Sequence, residues 1–142
     1  MSAKTILAEK GYQVISIEGD SSLIAAAQLM DKHGIGALII SEGKKEIAGI
    51  LSERDIMRAV AQKGAVALEQ PVHNYMTKKV KTCSPDQTIM EIMELMTNTR
   101  IRHLPVVEDG KLCGIIAIGD VVKKRIAEAE MEAEALKGYI TN

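Results

Sequence analysis

The chain has 142 residues, of which 46% are hydrophobic and 26% charged, with a formal net charge of −1 and neither Phe nor Trp. That length allows a real core, necessarily an aliphatic one, and the near-zero charge excludes a whole-molecule field for polyanions. With only Tyr12, Tyr75 and Tyr139 as aromatics and no basic excess, nucleic-acid binding lacks both its stacking platform and its electrostatic footprint.

The N-terminal stretch "MSAKTILAEKGYQ" has no long apolar h-region, so no secretory signal is expected. No run of 18 apolar residues exists, so no membrane span is expected either. A short strand is predicted around Val14–Ser16, followed by a Gly-Asp turn and a helix over 22–33. Two β-runs, "ALIIS" and "IAGILS", flank the turn "EGKKE", and "ERDIMRAVAQ" reads as a second helix. The connector "GAVALEQPVHNYMTKK" carries Pro71, which interrupts any helical turn before it.

The same order then recurs. A strand is predicted at Val80–Thr82 and a helix over 88–98, with Ile89, Ile92, Met93 and Met96 at helical spacing. Thr88-x-x-Glu91 is a capping box at its start. The runs "HLPVVE" and "LCGIIAI" flank "EDGK", and "DVVKKRIAEAEMEAEALKGYI" is the last helix. It carries Ile126, Ala129, Ala133, Leu136 and Ile140 at heptad-like spacing. Such a stripe suits a cover over its own domain, a dimer contact, or a surface for a regulated partner.

This recurrence is a duplication. Residues 14–38 lie over 80–104 without a gap, matching Val14 to Val80, Asp20 to Asp86, Ile35 to Ile101 and Leu38 to Leu104. One extra residue in the first turn then brings Gly49 over Gly114 and Asp55 over Asp120. The fold class read from this is α/β (α+β), with tandem β-α-β-β-α repeats. Residues 1–70 form the first, with the N-terminal segment and connector, and 71–142 the second, with the extended C-terminal helix. Each is marginal alone. Packed sheet to sheet about a pseudo-twofold axis, the two would share a core and leave two equivalent clefts.

The duplicated segments "GILSERD" and "GIIAIGD" carry the candidate chemistry. Ser52-x-x-Asp55 ahead of an amphipathic helix reads plainly as an N-cap. The same hydroxyl, carboxylate and free helix N–H groups also suit ribose and phosphate oxygens. The second copy keeps Asp120 but has Ala117 in place of the serine. His33, His73 and His103 form no metal-ligand spacing with Cys83 and Cys113. No Walker A lysine motif is present, the Gly-Lys of "EDGKLCG" standing in a hairpin. The cysteines, in no C-x-x-C spacing, read as reduced thiols of a cytoplasmic protein. Lys78, Lys79 and Lys81 form a small basic cluster.

The paired units, the run "RIRHLPVVEDGKLCGIIAIGDVV" and the twin G-h-h-[ST]-x-x-D segments closely resemble a CBS domain pair, or Bateman module, over roughly residues 12–126. The resemblance implies a non-catalytic regulatory module that binds an adenine nucleotide between the repeats and dimerises. AMP is favoured, with ADP, ATP, NAD(H) or S-adenosylmethionine as alternatives. It also implies that Asp55 accepts from the ribose hydroxyls and that Ser52 meets a phosphate or ribose oxygen. Val80, Lys81 and Thr82 would offer main-chain bonds to adenine, and Arg102 and His103 would reach the phosphate. The second, weaker site would comprise Asp120, Ala117, Val14, Gly36 and Ala37, without the hydroxyl and the phosphate charges. The expectation is a homodimeric sensor of an adenine nucleotide, acting on an unidentified partner, with no nucleic acid, membrane or metal involved. The alternatives are an interaction module with vestigial clefts and, third, a nucleotide hydrolase, which lacks a recognisable metal set or nucleophile.

Overall fold

In the computed structural model, which describes residues 1–141, the helices are α1 (Ala3–Lys10), α2 (Leu23–His33), α3 (Glu53–Lys63), α4 (Ile89–Thr99) and α5 (Ile118–Thr141). The strands are β1 (Ser16–Glu18), β2 (Ala37–Glu42), β3 (Lys45–Ser52), β4 (His103–Glu108) and β5 (Lys111–Ala117). Short 3₁₀ turns at Ala65–Glu69 and Val72–Asn74 occupy the connector. The chain divides into two compact units, one of residues 14–80 and the other of 1–13 with 81–142.

In the first unit β1 runs parallel to β2, and β2 antiparallel to β3. Ser22 caps α2, its hydroxyl accepting from the Ala25 N–H at 3.1 Å, and Gly34 ends the helix in the left-handed region at φ 61°. The apolar spacing between these signals buries Leu23, Ala26 and Met30 against Leu38, Ile40, Leu51, Ala59 and Val72. Ala37–Ile40 are buried in succession rather than alternately, the pattern of a strand covered on both faces.

In the second unit β4 and β5 pair antiparallel. The strand predicted at Val80–Thr82 is reduced to one parallel bridge at Cys83, whose N–H donates to Pro105 O at 3.0 Å and whose carbonyl accepts from Val107 N at 2.8 Å. Pro85 contributes no N–H and the chain turns at once, so the pairing cannot extend. Burial pushes the Cys83 thiol up to about 11, which keeps it protonated and unreactive.

By contacts within the fold, the N-terminal segment through Gln13 packs with residues 81–142, and the connector through Val80 packs with residues 14–80. Ala3 N and Lys4 N donate to Gln87 O and Pro85 O at 3.0 and 2.9 Å, and Ala3, Ile6 and Leu7 enter the core with Ile89, Ile92, Met96 and Ile116. A helix of eight residues is unstable alone, so this burial is what holds α1. The connector does the corresponding work in the first unit. Gln70 O accepts from Leu23 N at the start of α2, as Met1 O accepts from Ile89 N at the start of α4.

The glycine shared by the two repeats marks a close approach in both. A Cβ on Gly49 would lie 2.5 Å from Met76 Sδ and 2.9 Å from Thr77 O, a carbonyl fixed by its bond from Ile50 N. A Cβ on Gly114 would meet only the tip of Leu7, at 2.7 Å from Cδ2. Overpacking costs roughly 1–3 kcal/mol. Gly49→Ala is expected at the upper end because backbone must move, and Gly114→Ala at the lower end. Urea midpoints of the two variants test this, and equal midpoints would contradict it.

Candidate functional site

Where β3 becomes α3, Ser52 takes an extended conformation and its hydroxyl accepts from the Asp55 N–H at 3.3 Å. Asp55 Oδ2 in return accepts from Ser52 N at 2.8 Å and from the Ser52 hydroxyl at 3.1 Å. This reciprocal box satisfies donors that the first helical turn would otherwise leave bare, and the carboxylate favours the helix dipole. The other oxygen, Oδ1, faces the exposed Arg58 guanidinium at 3.9 Å, too far for a strong bond. Asp55 is thus positioned by its own backbone with one oxygen only weakly engaged, and its side chain is 17% exposed. Gly36 and Ala37 border this turn. Gly36 O accepts from Glu53 N at 2.9 Å, and Ala37 pairs with Ser52 across the sheet.

The second unit repeats the geometry with different side chains. Asp120 Oδ2 accepts from Ala117 N at 2.9 Å, but Ala117 supplies no hydroxyl to complete the box. Lys10, at the end of α1, donates to the same Oδ2 at 2.8 Å and to Ile115 O at 2.9 Å. Arg102 O accepts from Ile118 N at 2.8 Å, and His103 pairs with Ala117. Arg102 is exposed and His103 half-buried.

The candidate residues therefore assemble within each unit as two turns. Ser52 and Asp55 stand with Gly36 and Ala37, and Ala117 and Asp120 stand with Arg102 and His103. Val80 is half-buried, Lys81 and Thr82 are exposed in the segment before Cys83, and Val14 is half-buried before β1. Sequence reasoning missed Lys10, whose partner lies 110 residues away. An open cavity of about 520 Å³ in the first unit is lined by Glu42, His73, Asn74, Met76 and Lys78, and shares no residue with either turn. Among the described residues, no group of three or more His, Cys, Asp or Glu could hold a metal ion, and no helix is long and apolar enough to cross a membrane.

The family model of the CBS domain matches residues 10–62 and 72–127. The chain is 35% identical over 125 residues to the CBS domain-containing protein CBSX3, mitochondrial, of Arabidopsis thaliana, covering 85% of this chain and 61% of that one. It therefore spans about three fifths of that relative's length. Among solved structures it is similar to the CBS-domain containing protein ATU1752 from Agrobacterium tumefaciens, with 43% identity and a TM-score of 0.86 over 88% of this chain and 99% of that one. It is also similar to the CBS domain pair of protein MJ0100 in complex with 5′-methylthioadenosine and S-adenosyl-L-methionine. There the identity is 26% and the TM-score 0.79, over 90% and 98% of the two chains.

Proposed function

The chain belongs to the CBS-domain family, carrying two CBS repeats, and we propose that it is a non-catalytic regulatory module that binds an adenine nucleotide, AMP foremost, and transmits occupancy to a protein partner. Both ligands of the MJ0100 pair are adenosine derivatives, which supports recognition of a purine and its ribose rather than of any one substituent. In this reading Asp55 accepts from the ribose hydroxyls and Ser52 meets a ribose or phosphate oxygen. Val80, Lys81 and Thr82 contact the base, and Arg102 and His103 the phosphate. Arginine's planar fork matches phosphate oxygens in pairs. Asp120, Ala117, Val14, Gly36 and Ala37 form the weaker second set. The two free thiols suit the reducing environment of the cytoplasm, where we place this activity.

The observation that carries this reading is the unequal state of two equivalent carboxylates. The cation beside Asp55, Arg58, stands 3.9 Å from Oδ1, whereas Lys10 holds Oδ2 of Asp120 at 2.8 Å. The test is calorimetric titration of nucleotide-free chain with AMP, ADP, ATP, NADH and S-adenosylmethionine. One molecule of AMP bound per chain is the expected result, and Lys10→Met, by releasing Asp120, is expected to raise the number toward two. Unchanged stoichiometry in Lys10→Met would mean that the clasp does not decide which site fills. No heat with any ligand would favour a purely structural interaction module, a reading to which the complete Ser52–Asp55 box, already satisfied within the fold, lends itself.

A further inference from the structure

α5 extends well past the repeat that it closes, and its side chains divide into two faces. Val121 is fully buried, and Lys124, 12% exposed, pairs with Glu9 of its own unit. A second face, running beside the first, carries Val122, Ile126, Ala129, Ala133, Leu136 and Ile140, all exposed, with Leu136 at 60% and Ile140 at 73%. Their spacing alternates between four residues and three over the whole stretch, the seam of a two-stranded coiled coil rather than the broader face of a helix lying on a domain. Ile126, Ala133 and Ile140 fall on one heptad position (a), and Val122, Ala129 and Leu136 on the other (d). β-Branched residues at a with Leu at d favour two parallel strands.

The flanking charges choose the partner and its direction. Lys123, Glu130 and Lys137 lie along one flank of the seam, and Arg125 and Glu132 along the other. In a parallel, in-register pair of identical helices, Arg125 comes opposite Glu130 of the second copy, and Glu132 opposite its Lys137. Both contacts join unlike charges, and symmetry makes each of them twice. An antiparallel pair that covers the whole seam, with Val122 opposite Ile140, brings Glu130 against Glu130, Glu132 against Glu132 and Lys123 against Lys137. A shifted antiparallel pair can match Lys123 to Glu130, but it leaves Leu136 and Ile140 uncovered. The ion pair between Arg125 and Glu132 within the chain, at 3.6 Å, shows both side chains lying along this flank.

The geometry points to a second copy of this chain as the occupant of this face, bound through α5 as a parallel, in-register coiled coil. The inference goes beyond the nucleotide reading and does not depend on it.

The test is site-directed disulfide formation in a Cys113→Ser parent, which leaves only the buried, protonated Cys83 thiol. Ala129→Cys, Leu136→Cys and Met131→Cys are each oxidised with glutathione disulfide, two thiols joining as one disulfide while the glutathione is reduced. A disulfide needs Cα atoms about 4.4–6.8 Å apart, which same-residue d positions of a parallel coil approach. Met131 points away from the seam. Conversion of most Ala129→Cys and Leu136→Cys chains to linked dimers, with Met131→Cys left monomeric, is the expected result. Adding Glu130→Arg to Ala129→Cys should suppress the link, and adding Arg125→Glu as well should restore it. Equal linking at 131 and 136 would overturn the proposal. So would a chain that sediments as a dimer without linking at 129 or 136, which places the interface elsewhere.

Discussion

AMP at about a hundred times its dissociation constant is expected to stabilise the chain by roughly 2.7 kcal/mol, and Asp55→Ala is expected to erase that gain. At roughly 2–4 °C per kcal/mol for a chain of this size, the wild-type shift is about 5–10 °C in Tm. Asp55 also has a structural task, because its carboxylate accepts from Ser52 N at 2.8 Å and its N–H donates to the Ser52 hydroxyl. Asp55→Ala keeps that backbone N–H and the Ser52 cap but loses the carboxylate that accepts from Ser52 N. A hydrogen bond to a charged group is worth about 1.5–3 kcal/mol with no ligand present. The informative quantity is therefore the ligand-induced increment within each variant, not the raw Tm. Asp55→Asn separates the two roles, since its amide oxygen still accepts from Ser52 N while the negative charge and the second acceptor are gone. A small baseline change with a lost increment would assign the carboxylate to the ligand. A full increment in both variants would exclude Asp55 from binding and leave it as a helix cap.

Much of this was written locally in the sequence. Ser52-x-x-Asp55 and Thr88-x-x-Glu91 read as boxes because a cap needs only residues three apart, and both form. The repeat alignment paired Gly49 with Gly114, but the side chains that crowd them, Met76 and Leu7, come from outside the repeated strands. What escaped notice depends on distant packing. α1 carries no strong helix signal, and its eight residues are held by the core that they enter. Val80–Thr82 has a strand-like beginning but flanking lysines and Pro85, so only Cys83 pairs. Arg100 takes the left-handed C-cap at φ 56° that Gly34 takes in the first repeat, a conformation that arginine's side chain gave no reason to expect. Lys10 could have been found by extending the repeat alignment backwards. That places it over Met76, the residue whose sulfur crowds Gly49. In the first unit an apolar side chain from the connector that follows lies against the shared glycine. In the other, a cation at the matching position reaches the neighbouring strand and the helix carboxylate.

Leu7→Ala is expected to cost about 2–5 kcal/mol, the range for removing a fully buried leucine side chain. Leu7 is 1% exposed and lies over Gly114, where the strand has no side chain of its own to fill the space. Partial collapse into that gap is hindered, because the Ala3–Gln87 and Lys4–Pro85 backbone bonds pin the start of α1. Against a typical total stability of about 5–15 kcal/mol, such a loss is large. It should appear as a lower urea midpoint together with faster tryptic cleavage at Lys4 and Lys10. Lys10→Met, which itself removes the tryptic site at position 10, should leave the midpoint and the cleavage at Lys4 nearly unchanged, because the Lys10–Asp120 pair is about one-third exposed and such surface pairs contribute at most about 1 kcal/mol. The contrast divides the two tasks of α1, with Leu7 holding the helix on the second unit and Lys10 setting the state of Asp120. If Leu7→Ala lowered stability by less than about 1 kcal/mol while Lys4 and Lys10 became readily cleaved, α1 would be a detachable cover, and the clasp on Asp120 would open whenever the helix lifted.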